Sequence, residues 1–196
     1  MAPVAQTGKA VNGAAATKVI TGKVRLSYCH LFKPHAVTEG QEPKYSVCLL
    51  VPKSDKQTLR NIQAAVAAAK TAGESVLKDK NGRIPATLKT PLRDGDAERP
   101  DQPEYEGMYF LNASSKQKPG LLDRDRTEIV DSTEVYSGCY GRASLNFFAY
   151  NQAGNKGIGC GLNHIQKVAD GDFLGGRSRA EDDFDEWEDD EDDFLS

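Results

Sequence analysis

Between Cys139 and Tyr150 the chain reads CYGRASLNFFAY, and its residues fall into two alternating series of different chemistry. Ala143, Leu145, Phe147 and Ala149 make one series; Tyr140, Arg142, Ser144, Asn146, Phe148 and Tyr150 make the other. A period of two marks a strand with one face in a core. If the apolar series is that face, three aromatic rings, a guanidinium and two small polar side chains occupy the opposite one. Flat rings beside a fixed positive charge suit a ligand that carries both planar groups and anions, as a nucleotide chain does. Stacking contributes about 1–3 kcal/mol per base whatever the sequence, and the cation takes a phosphate. The competing reading is that the rings cover a second small core beneath a long loop, since aromatic side chains are commonly buried.

Other cations recur near exposed-looking rings or turns. Lys23 and Arg25 alternate with Val24, Leu26 and Tyr28 in VITGKVRLSYC, a half-buried strand over 19–29 with a basic outer face. Phe32 and Lys33, with His35, fall in a loop over 30–44 broken by Pro34, Gly40 and Pro43. Lys89, Arg93, Lys116, Lys118 and Lys156 lie in further loops and turns. Singly, each suits a solvated surface charge. Together they suit a phosphate-binding surface whose affinity falls with salt.

Catalytic alternatives find less support. Asp94, Asp96, Glu98, Asp101, Glu104 and Glu106 form a carboxylate cluster that would serve Mg²⁺-dependent nuclease chemistry. The acids lie in a Pro-rich loop, however, without strand-borne acids paired to a catalytic Lys. His30, His35 and His164 lack ligand spacing, and Cys29, Cys48, Cys139 and Cys160 form no C-x-x-C. These thiols read as reduced core or near-core residues of a cytosolic protein. GNKGIGCG, over 154–161, lacks the Lys-Ser/Thr pair of a phosphate loop and reads as a hairpin. No cofactor or metal is expected, and the leading expectation is a binding protein and not an enzyme.

Charge is divided unevenly. The whole chain carries a net charge of −4 from 25 basic and 29 acidic residues. Its last sixteen residues, EDDFDEWEDDEDDFLS, hold eleven of those acids and no Lys or Arg, which leaves residues 1–180 at +7. A basic body with an acidic tail fits a nucleic-acid binder or a membrane-surface protein. The tail should be disordered, yet Phe184, Trp187 and Phe194 stand within it, suiting a docking segment for a basic, aromatic-lined groove. A third function class is therefore an acidic-tail interaction module or DNA mimic.

The elements that must position these groups form a mainly β pattern with one main helix. Strands are expected over 19–29, 45–52, 108–114, 139–150 and 158–168. A helix capped by Ser54 or Asp55 should run to about Lys70, with a weaker helical stretch over 73–80. Residues 84–107 should form a long ordered loop, and 121–131 remains ambiguous between short strand and turn. The boundaries expected are a flexible arm over 1–18, one domain over 19–175 and an acidic tail over 176–196. No apolar run approaches the ~20 residues that span a bilayer.

The segments RLSYCHLFKP, PKYSVCLLVPKSD, LRDGD, FLNASSK, EVYSGCYGRASLNFFAYN, GNKGIG and VADGD, taken in series, resemble a family of phage single-stranded-DNA-binding proteins. The resemblance spans about Lys23 to Gly175. It implies an OB-like five-stranded antiparallel barrel that holds single strands with little sequence preference in phage replication or recombination. It also implies action in the bacterial host cytoplasm, and an acidic tail that docks replication or recombination proteins. The usual bacterial tail ends in Pro-Phe, whereas this one ends Phe-Leu-Ser. Weak duplex binding and a homodimer are left open.

Overall fold

The architecture grows from one long hairpin. In the computed structural model, which describes residues 16–175, strand β7 (Tyr140–Gln152) turns at Ala153-Gly154 into β8 (Asn155–Ala169). The pair stays in antiparallel register from Gln152↔Asn155 to Tyr140↔Ala169, with two bulges. Alternation within β7 is as expected: Ala143, Leu145 and Phe147 are buried, while Ala149 at the outer end is half-buried. Burying a side chain of Leu or Phe size contributes about 1.5–3 kcal/mol, so the inward series fixes which face of β7 looks out.

The remaining barrel strands are β2 (Val24–His35), β3 (Lys44–Pro52) and β5 (Met108–Ser115). Pairing runs β7-β2-β3-β5-β8 and returns to β7, closing the circuit. Two of the barrel strands are interrupted. β1 (Lys18–Ile20) leads into β2 across Thr21-Gly22-Lys23, and both pair with β7. β6 (Gly120–Leu122) continues β5 beyond the 116–119 turn, and both pair with β8. This order is the OB-like arrangement. The expectation of antiparallel pairing holds except at this last seam. There β5 and β6 run parallel to β8, because a closed ring of five strands cannot alternate direction all the way round.

Helix α1 (Lys56–Ala72) starts at Asp55, whose carboxylate accepts a hydrogen bond from the Thr58 amide at 3.1 Å. Leu59, Ile62, Ala65 and Ala69 are buried, and α1 packs on β7 and β1. The weaker stretch condenses to a single turn, α2 (Glu74–Leu77). The long loop carries β4 (Arg93–Asp94), the turn α3 (Gly95–Glu98) and a 3-10 turn (Pro103–Tyr105). It covers a second small core made of Cys48, Leu50, Tyr105 and Phe110 on the outer face of β3 and β5. A second core therefore exists under this loop, and its rings are not those of β7.

Two further expectations are corrected. The first strand does not end at residue 29, and the 30–44 loop shortens to the residues between His35 and Lys44. Tyr28 does not face inward with Val24 and Leu26. A bulge between Ser27 and His30 turns it out, 61% exposed, with φ +47°. All four cysteines are free; Cys48, Cys139 and Cys160 are buried and Cys29 is half-buried. No helix among the described residues is long and apolar enough to cross a membrane.

Candidate nucleic-acid interface

On the outer face of the β7–β8 hairpin, Tyr150 stands across from Gly157, Phe148 from Gly159 and Asn146 from Gly161. A Cβ at residue 159 would meet the Phe148 Cζ at 2.8 Å, and one at residue 157 would meet the Tyr150 hydroxyl at 2.8 Å. Phe148 thus lies down over the Gly159 backbone, 45% exposed, while Tyr150 is half-buried with its hydroxyl set against Gly157. Glycine makes this possible because it has no side chain to hold a ring off the sheet. A ring fixed on one face and open on the other is a preformed stacking surface.

The strip leads into a cleft of about 480 Å³ between the β2–β3 loop and the hairpin tip. Its walls include His35, Lys44, Ser46, Ser114, Lys116 and Gln152. Lys116 reaches Glu42 at 2.8 Å, an exposed ion pair that holds the Glu42 carboxyl below its usual range. His30, opposite Ser46, stacks on His35 with centroids 4.3 Å apart. Partial burial, then the neighbouring imidazole, lowers the His30 pKa. A second hollow of about 440 Å³ beyond the β5–β6 turn is lined by Lys18, Lys118, Asn146, Asn163 and His164 among others.

At the other end of β7, the Lys23 ammonium sits 4.8 Å and the Arg25 guanidinium 5.6 Å from the Tyr140 ring centre. Arg25 also donates to the carbonyls of Gly138 and Asp172, at 3.2 and 2.8 Å. Ten residues separate Tyr140 from Tyr150, or about 33 Å of extended strand. These are two places on one face, not one pocket. Arg142 lies between them, exposed, its Nε donating to the Thr21 carbonyl at 3.2 Å.

Other sequence-selected residues are placed differently. Phe32 is half-buried against the main core, with the Lys118 ammonium 5.9 Å from its ring centre, so it is less open than expected. Lys33 is exposed at the end of β2. Lys156 donates to the Lys78 carbonyl at 2.6 Å, which draws its ammonium toward α2. Phe184, Trp187 and Phe194 lie outside the described residues. Lys44, Ser46, Ser114 and Gln152 line the cleft without having been singled out; the outward parity of Lys44 and Ser46 on β3 was the available signal.

Asp94, Asp96 and Glu98 of the long loop are held in structural pairs. Lys53 bridges Asp94 at 2.7 Å and Asp96 at 2.6 Å, and Arg93 pairs with Glu98. Asp94 caps α3, and Asp96 accepts the Gly107 amide at 3.0 Å. Hydrogen bonds from Lys53 hold both aspartates below their usual range. No cluster among the described residues could hold a metal ion.

With this geometry in place, comparison with known proteins decides the family. The model described as "Enterobacter phage Enc34, ssDNA-binding protein" matches residues 17–195. The chain belongs to the Enc34 ssDNA-binding protein family. Protein p50 of Acyrthosiphon pisum secondary endosymbiont phage 1 is 32% identical over 174 residues, covering 86% of this chain and 93% of p50. The single-stranded DNA-binding protein of bacteriophage Enc34, solved in complex with ssDNA, superposes with a TM-score of 0.72 at 28% identity. That match covers 81% of this chain and 90% of the Enc34 chain. The fold is also shared with gp2.5, a single-stranded DNA-binding protein of bacteriophage T7, at a TM-score of 0.60 and 17% identity over 91% of this chain and 98% of the T7 chain. The Enc34 family is one of binding proteins, not enzymes.

Proposed function

We propose that this protein binds single-stranded DNA during phage replication or recombination, in the host cytoplasm, with little sequence preference. Bases stack on Phe148 and Tyr150, and Lys44, Lys116 and Lys118 take phosphates beside them. Tyr140, with Lys23, Arg25 and Arg142, extends the path at the far end of β7. The observation that carries this reading is the exposed Phe148 ring laid over Gly159, with the half-buried Tyr150 next to it. Similarity to the Enc34 protein solved with ssDNA supports the ligand. Stacking on π-faces tolerates any base, which suits a protein that coats strands. Titrating a labelled oligonucleotide tests the reading: binding should weaken steeply with salt, and indifference to salt together with no single-strand affinity would refute it.

The working unit in this reading is residues 19–175, with an arm before it and the acidic tail after it. The tail competes with phosphates for the same face, and bound DNA releases it to dock partner proteins through Phe184, Trp187 and Phe194. Support comes from where the chain leaves the domain. Leu174 packs against the small core on the outer face of β3 and β5, and its amide donates to the Ser137 carbonyl at 2.8 Å, near the Tyr140 end of the path. Deleting 181–196 should raise affinity at low salt, for duplex more than for single strands; unchanged affinities would leave only partner docking or solubility for the tail.

A further inference from the structure

Tyr28 departs from two rules at one position. Its φ of +47° belongs to a region that glycine occupies freely and bulky residues avoid. Its large ring is nevertheless turned to solvent, 61% exposed. No hydrogen bond or ring contact among the described residues holds it there. The bulge that produces this geometry is needed for the core, because it returns Leu31 to the inward face. A glycine would make the same bulge at lower cost. The tyrosine ring therefore calls for a reason outside the fold.

Its surroundings supply one. Ser27 pairs with Cys48, which sets Tyr28 beside the small outer core. The Cys48 thiol lies 3.9 Å from the Tyr105 hydroxyl, and the Tyr105 ring meets Phe110 edge-on with centroids 5.1 Å apart. Arg99 is exposed, with its guanidinium 5.9 Å from the Phe110 ring centre. Arg93, on the same ring at 4.9 Å, is neutralised by Glu98, whereas Arg99 has no carboxylate partner among the described residues. An open aromatic face thus stands near an unneutralised cation braced by buried rings. From there the outer surface continues through His30 and Ser46 to Ser114, Gly161 and Asn146, each paired with the next across the strands.

We infer that Tyr28 and Arg99 form a second nucleotide subsite, with a base stacked on Tyr28 and a phosphate on Arg99. It lies about 19 Å around the barrel from Phe148, four inter-strand steps. The inference rests on the single-strand reading above and extends it, because a strand crossing from one subsite to the other runs over β3, β5 and β8.

The test uses Tyr28→Gly, which relieves the backbone while removing the ring. Full-length protein is titrated with fluorescein-labelled oligo(dT), and thermal melting is followed in parallel. Tyr28→Gly should melt no lower than wild type yet bind about 5- to 150-fold more weakly, the range one stacking platform supplies, while Tyr28→Phe keeps its affinity. Arg99→Gln should make the log–log salt slope shallower by about 0.7, one phosphate on a single strand. Photo-crosslinking to oligo(dT) carrying 5-iododeoxyuridine should label Tyr28 in wild type. If Tyr28→Gly binds like wild type and no crosslink maps to Tyr28, the subsite is refuted, and the single-strand reading survives provided Phe148→Ala weakens binding. If wild type itself does not bind oligo(dT), both fail together.

Discussion

Phe148 on β7 lies directly across from Gly159 on β8, so close that a methyl group at 159 would meet its ring at 2.8 Å. The ring's orientation is therefore set by what its neighbour lacks. Gly159→Ala should lift the ring from the sheet while leaving Phe148 in place, lowering oligonucleotide affinity toward that of Phe148→Ala. Fluorescence anisotropy of both variants checks this. An affinity for Gly159→Ala equal to wild type would mean that the ring's position does not matter.

Lys116 is held by Glu42 in the exposed cleft. Glu42→Gln frees the ammonium and removes a like charge from the path of phosphates. Affinity at low salt should rise about two- to five-fold, the scale of an exposed pair, and the gain should vanish at high salt. Lys116→Gln should move affinity the other way and flatten the salt slope by about 0.7.

How much of this was legible in the sequence depends on the element. The alternation in 139–150 identified both the core face and the aromatic face of β7, because a long hairpin strand keeps its parity from end to end. Tyr28 leaves its expected face for the opposite reason: one extra residue in a bulge inverts parity, and nothing in LSYCHL marks it. Phe32 was displaced by the same shift. Lys156 and Lys116 were recognisable as cations, but their partners, the Lys78 carbonyl and Glu42, come from distant segments that only the fold brings near. The parallel β5–β8 seam likewise rests on closure of the whole barrel, which local patterns do not encode.

His30 should give the interface a pH dependence. Burial and the stacked His35 lower its pKa in the free protein, so it is neutral at pH 7 and takes up its proton below the usual histidine value. His30 adjoins the cleft through His35, which lines it together with Lys44 and the Lys116–Glu42 pair. Protonated His30 adds positive charge beside the phosphates, so binding should tighten as pH falls below about 6.5. The fold responds with the opposite sign: a depressed histidine pKa means the unfolded chain binds more protons, and stability falls over the same window. Titrations across this range should show the tightening in wild type and its loss in His30→Gln.

Asp55 caps α1 at the end opposite Gly73, which packs on Ala149 next to the stacking rings. Asp55→Ala should lower stability by about 1 kcal/mol in denaturant melts and leave oligonucleotide affinity unchanged. A fall in affinity at temperatures where the variant is folded would place α1 in the interface.

The central claim is that the glycine-backed rings on the β7–β8 hairpin are where bases stack. It is tested most directly by titrating labelled oligo(dT) with wild type and with Phe148→Ala/Tyr150→Ala, both verified as folded, at two salt concentrations. The double variant should lose at least about tenfold in affinity while its salt slope stays that of wild type, since no phosphate contact is removed. An affinity within twofold of wild type, or a loss accompanied by a flattened slope, would contradict it.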